Sequence, residues 1–152
     1  MSQLDIRKLV PHEGAMVLLD RVVAAADDAL CAELTIGPDS LFCDGDGVGS
    51  WVGIEYMAQA IAAHAGFLAQ RRGEPVKVGF LLGARRYQAA VPLFAVGSVL
   101  RVHAHHAMQG DNGLAAFECR IEDAETLAQL ANATITVFEP ANVHDFLQRS
   151  FT

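Results

Sequence analysis

Twenty-two consecutive residues, Trp51 to Arg72, lack proline and are dominated by small apolar side chains. Ser50 ahead of them and Gly73 behind them suit an N-cap and a left-handed C-terminal stop. The stretch predicts a helix roughly 33 Å long at 1.5 Å per residue. Gly53, Ala58, Ala60, Ala62, Ala63, Ala65 and Gly66 put small side chains on almost every face. A helix that is apolar all round is buried on several sides. Small residues also let strands close tightly around it. The stretch is long enough to span a bilayer, but Glu55, Gln59 and His64 lie inside it, and a charge at mid-bilayer is expensive. The reading is therefore a central helix in a water-exposed protein, with no membrane span.

What flanks the helix decides the fold class. Asp5–Val10 reads as one or two helical turns stopped by Pro11. Met16 to about Ala25 reads as a strand and Asp27-Asp28 as a turn. Ala29–Ile36 reads as a second strand, which completes a hairpin. Gly37–Ser50 reads as a loop from its Gly, Pro and Asp content. Behind the helix, Val76–Tyr87, Ser98–Met108, Ala115–Ile121 and Ala131–Phe138 read as strands, and Asn142–Gln148 as a short terminal helix. Two strands, one long helix, then four strands is an α+β order. It predicts a curved antiparallel sheet of about six strands wrapped around the helix. At 152 residues, with no linker or repeat, the chain is expected to form a single domain over 1–152.

Charge and composition narrow the partners. A formal charge of −7 argues against wholesale nucleic-acid binding. An apolar fraction of 52% beside 19% charged residues predicts that a partner subunit covers part of the surface. Arg71–Arg72 and Arg85–Arg86 are the local basic pairs that a phosphorylated ligand or acidic partner could use, or else ordinary solvated arginines. Cys31, Cys43 and Cys119 are odd in number and widely spaced, which gives neither a disulfide framework nor a zinc motif. The start, Met1-Ser2-Gln3-Leu4-Asp5, does not read as a signal peptide. The expected location is cytoplasmic.

Two segments carry a family resemblance. Leu9-Val10-Pro11-His12-Glu13-Gly14-Ala15-Met16-Val17-Leu18-Leu19-Asp20-Arg21-Val22 resembles the "LPHRxPFLLVDRV" opening of the β-hydroxyacyl-acyl-carrier-protein dehydratases. Ile54-Glu55-Tyr56-Met57-Ala58-Gln59-Ala60 resembles their "iEalAQa" central-helix motif. The nearest variant is the dehydratase-like subunit of aryl-polyene pigment clusters. The resemblance implies the hotdog fold, two sheets joined edge to edge in a dimer, and acyl tunnels at the interface. It also implies a mechanism for removing water from a 3-hydroxyacyl thioester. A loop histidine takes the α-proton, an acidic residue on the other subunit's central helix assists loss of the hydroxyl, and a helix N-terminal amide polarises the carbonyl. The sequence departs from this pattern. Fourteen residues before Glu55, where that histidine falls, stands Leu41. The loop holds no histidine, the motif's two prolines are absent, and Ser50 replaces its glycine.

The site residues are read one by one. Glu55 shares a helix face with Trp51, Ala58, Gln59 and Ala62. It is the expected catalytic acid, desolvated among alanines; the alternative is a carboxylate that fixes a dimer. Gln59, one turn on, either orients Glu55 or the ligand, or bonds across an interface. His12 replaces the loop histidine if the N-terminal segment folds over the tunnel mouth; in the family it accompanies the first strand. His103, His105 and His106 fall on one strand, where only His103 and His105 share a face without a third ligand nearby, and they read as solvated. His64 lies half a turn away from Glu55 in angle and cannot act with it. Cys43 has no flanking histidine and reads as a partly buried loop cysteine. Asp44, Asp46, Gly49 and Glu55 fall on calcium-loop spacings, but Val48 takes a ligand position and no helix precedes them. No metal and no cofactor are expected.

Three functions follow, in order. The first is a 3-hydroxyacyl thioester dehydratase, as a homodimer or as half of a site shared with a paralogous hotdog subunit that supplies the histidine. The second is a hotdog acyl thioesterase with the helix carboxylate as base or nucleophile. The third is a non-catalytic subunit that supports a partner dehydratase. The carrier is acyl-carrier protein or coenzyme A in each case.

Overall fold

The structure, a computed structural model, describes residues 4–12, 14–74 and 80–138, with backbone alone for 80–82. The described chain runs α1 (Ile6–Leu9), β1 (Arg21–Ala25), β2 (Ala29–Thr35), β3 (Cys43–Asp44), β4 (Gly47–Gly49) and α2 (Gly53–Arg72). It continues with β5 (Phe80–Ala89), β6 (Leu93–Ala95), β7 (Val99–Gln109), β8 (Leu114–Asp123) and β9 (Gln129–Phe138). Short 3-10 turns occupy Gly14–Met16 and Ser50–Val52.

Six strands form one antiparallel sheet in the order β1-β2-β7-β8-β9-β5. β1 and β2 from before the helix and β5, β7, β8 and β9 from after it are thus drawn together around α2, as the element order predicts. Side chains alternate across a strand, and the alternation is clean here. Leu30, Ala32 and Leu34 of β2, Leu100, Val102 and Ala104 of β7, and Ala131, Ala133 and Ile135 of β9 are all buried. Together with Tyr56, Met57, Ala60, Ile61 and Ala63 of α2 they make one core. The alanines on both sides let helix and sheet approach closely.

Gly66 shows how close. A Cβ there would collide with the Leu9 carbonyl, so only glycine lets α1 cross the helix at this point. Asp5 caps α1 by accepting from the Arg7 amide at 3.0 Å. α2 ends as predicted, with Gly73 left-handed at φ +66° and its N–H directed at the last carbonyls.

Three local expectations are corrected. Ser50 is not the N-cap of α2: it opens the 3-10 turn, and no side chain caps the helix, which begins at Gly53. The first strand begins at Arg21 rather than Met16. The segment 37–50 is not wholly loop, because β3 and β4 join β6 in a small second sheet. Part of the Val76–Tyr87 strand and all of the terminal helix at Asn142–Gln148 fall outside the described residues.

Candidate active site

Glu55 stands in the first turn of α2. Gln59, four residues on and therefore above it on the same face, directs Nε2 to Glu55 Oε1 at 3.3 Å. The same Nε2 donates to the Met16 carbonyl at 2.7 Å, and Gln59 Oε1 accepts from the Leu18 amide at 2.9 Å. This amide is fully buried. It staples the segment 16–18 to the helix, which is why those residues do not pair as a strand: their backbone groups already have a side-chain partner.

His12 completes the group. α1 crosses α2 at Gly66, Pro11 ends it, and the following residue lies over the start of the helix, with His12 Nε2 3.5 Å from Glu55 Oε1. Its Nδ1 is buried with no partner among the described residues. The structure thus brings together all three residues singled out from the sequence. One expectation about them is corrected: Glu55 is not enclosed by alanines, since its side chain is 40% exposed. The first turn of α2 emerges at the end of the sheet, and Trp51, one turn earlier on the same face, is 66% exposed.

Sequence reasoning passed over the partner of that tryptophan. Phe42 stacks edge-to-face on Trp51 with ring centroids 5.6 Å apart, and it too is exposed. Two open aromatic rings beside a carboxylate form an apolar rim. The available signal was Trp51 itself, placed four residues before Glu55 at the mouth of the helix. Leu41, where the family histidine falls, lines a cleft with Tyr56. Cys43 is partly buried, as expected, but sits in β3.

The other histidines are occupied elsewhere. His64 is buried, with Nε2 3.1 Å from both the Ala26 and Asp27 carbonyls. Burial pulls its pKa below the ordinary value, and the two backbone hydrogen bonds only partly offset that. His103 is not a solvated strand residue: it contacts Glu122 at 2.8 Å, and both are largely buried. Neighbouring strands of an antiparallel ladder bring such pairs together. His105 lies 3.3 Å from Asp28 in the open. Cys31 Sγ sits 3.8 Å from His103 Nε2, but burial pushes its thiol up to about 11, far from a reactive thiolate.

Comparison with known proteins identifies the family and the fold. The family model for ApeP dehydratase matches residues 4–148. The dehydratase heterocomplex ApeI:P from Xenorhabdus doucetiae contains a chain 30% identical, with a TM-score of 0.89 over 99% of this chain and 100% of that one. A hypothetical thioesterase from Streptococcus pneumoniae, solved with coenzyme A, is 13% identical. It has a TM-score of 0.62, covering 78% of this chain and 84% of its own. The PaaI protein of the Escherichia coli phenylacetic acid degradation operon is 11% identical at the same TM-score, over 77% and 80%. At such identities these two show the shared fold alone. None of the curated proteins compared matches the chain. The fold is therefore the hotdog, and the resemblance to a dehydratase-like subunit of aryl-polyene clusters holds. The chain belongs to the ApeP dehydratase family.

Proposed function

We propose that this chain is one half of a dehydratase that removes water from a 3-hydroxyacyl thioester in polyene assembly, with Glu55 as its acid. The observation that carries the reading is the Glu55 cluster itself. A half-open carboxylate sits at the start of the central helix, held by Gln59 at 3.3 Å and His12 at 3.5 Å, while the loop that should carry a base presents Leu41. In the reaction a base takes the proton from C2 and the electron pair forms the C2–C3 double bond. Glu55 gives its proton to the departing C3 hydroxyl, which leaves as water. Gln59 and His12 both steady the carboxylate through Oε1.

A paralogous hotdog subunit supplies the base, which makes the functional unit a heterodimer. The relative solved as a heterocomplex supports this partner, and so does the exposed Phe42–Trp51 rim, an apolar surface of the kind that interfaces cover. The thioester arrives on acyl-carrier protein or coenzyme A, and the chain acts as one domain in the cytoplasm. Among the described residues no helix is long and apolar enough to cross a membrane.

The test is a dehydration assay on a 3-hydroxyacyl carrier-protein thioester, using this chain alone, its hotdog partner alone, and the two together. Turnover by the pair and not by this chain alone supports the shared site. Full turnover by this chain alone would contradict it and make His12 the base.

A further inference from the structure

The edge strand β5 breaks step with its neighbour beside the start of α2. Between the pairs Arg85–Thr134 and Gln88–Asn132, β5 advances by three residues and β9 by two, so one residue of β5 is extra. Arg86, inside that bulge, is left-handed at φ +56°. A non-glycine residue rarely adopts this conformation, and bulges of this kind re-aim a side chain. The side chain re-aimed here is Tyr87. It packs inward against the core, half-buried, and its hydroxyl donates to the Ser50 carbonyl. The same carbonyl accepts the Gly53 amide that closes the 3-10 turn leading into α2. Ser50 in turn donates its own amide to the Pro92 carbonyl at 3.1 Å, just beyond β5.

The fit is close. A Cβ on Gly53 would collide with the Tyr87 hydroxyl, so glycine at the first residue of the helix admits the contact. No side chain caps α2. Helix ends without a cap fray, and Glu55 stands in that first turn. Gln59 and His12 hold its carboxylate, at 3.3 and 3.5 Å. The Tyr87 bond holds the backbone turn that leads to it. Burial raises the pKa of the phenol, so the hydroxyl keeps its proton and remains a donor at neutral pH.

We propose that Tyr87 is a positioning residue for the dehydration: through the Ser50 carbonyl its hydroxyl fixes the first turn of α2, and so where Glu55 meets the substrate. The inference rests on the reading of Glu55 as the acid. Its leverage is geometric, since a misplacement of about 1 Å at a reacting group costs on the order of a hundredfold in rate.

The experiment measures kcat and KM for a 3-hydroxyacyl carrier-protein thioester in the assembled enzyme, with Tyr87→Phe, Glu55→Gln and both together. Tyr87→Phe keeps the ring and removes only the hydroxyl. Expected is a kcat about tenfold lower with KM unchanged. Adding Tyr87→Phe to Glu55→Gln brings no further loss, because both act on one group. Gly53→Ala, whose Cβ displaces the hydroxyl, lowers kcat similarly on its own and adds little on top of Tyr87→Phe. Unchanged kcat with Tyr87→Phe, beside a slowed Glu55→Gln enzyme, would overturn this inference and leave Glu55 as the acid. Losses that multiply in the double variant, or a Tyr87→Phe effect confined to KM or to the melt, would overturn it too. Full turnover by the Glu55→Gln enzyme would remove the acid reading and this inference together.

Discussion

Two carboxylates occupy opposite sides of this fold, and their surroundings could hardly differ more. Glu33 lies on the outer face of the sheet, on β2. Arg21 reaches its Oε1, with Nη2 at 2.6 Å, and Arg101 reaches its Oε2, with Nε at 3.0 Å. Each of its two oxygens is paired with a guanidinium. Burial raises its carboxyl, but the hydrogen bonds from Arg101 and Arg21 outweigh that and hold it below the ordinary carboxylate range. Glu55 has an amide at 3.3 Å and an imidazole at 3.5 Å, both on Oε1, and Oε2 has no partner among the described residues. The first carboxylate is locked as an anion that ties β1 to β2 and β7. The second is steadied from one side and free on the other, which a group that must give up a proton to a substrate requires. In this molecule the neighbours of each carboxylate separate the fastened Glu33 from Glu55, the proposed acid.

Substitutions that swap the two roles sharpen the contrast. The largest expected effect is on turnover. Glu55→Gln in the assembled enzyme lowers the dehydration rate by about a hundredfold or more, as loss of a general acid does, and leaves the thermal midpoint nearly unchanged. Gln59→Leu comes next. It strips partners from the Leu18 amide and the Met16 carbonyl and costs about 2–3 kcal/mol in a denaturant titration. It also frees Glu55, so rate and stability fall together.

Glu33→Gln does the reverse of Glu55→Gln. It costs about 1–2 kcal/mol of stability, a figure kept small because both arginines are partly open to solvent, and it leaves turnover alone. Because the folded Glu33 titrates below its unfolded value, its contribution is present above that value and is lost as pH falls through the acid range. The smallest effect belongs to His64. Its pKa is lowered in the fold, so the unfolded chain takes up protons first and stability declines as pH falls below about 6.5. His64→Gln flattens that decline in a series of melts between pH 7.5 and 5.5.

The parts of this molecule that are legible in sequence are the ones with long periods. Gly53–Arg72 announces itself by an unbroken small-residue run ending in glycine, and β7, β8 and β9 by alternation over ten or more residues each. β3, β4 and β6 span only two or three residues, too few for any period to register. The late start of β1 depends on a side chain forty-one positions away, since Gln59 takes the backbone bonds a strand would have used. The site follows the same division. Glu55 and Gln59 stand one helical turn apart and can be paired on paper. The approach of His12 cannot, because it needs Gly66 to let α1 cross the helix.

The comparison of the two carboxylates comes down to one measurement: dehydration of a 3-hydroxyacyl carrier-protein thioester by the assembled heterodimer, with Glu55→Gln and Glu33→Gln introduced separately into this chain. A rate that collapses with Glu55→Gln and persists with Glu33→Gln, while only Glu33→Gln shifts the melt, is the predicted result. Full turnover by the Glu55→Gln enzyme would contradict it and leave this chain a support for its partner rather than half of the site.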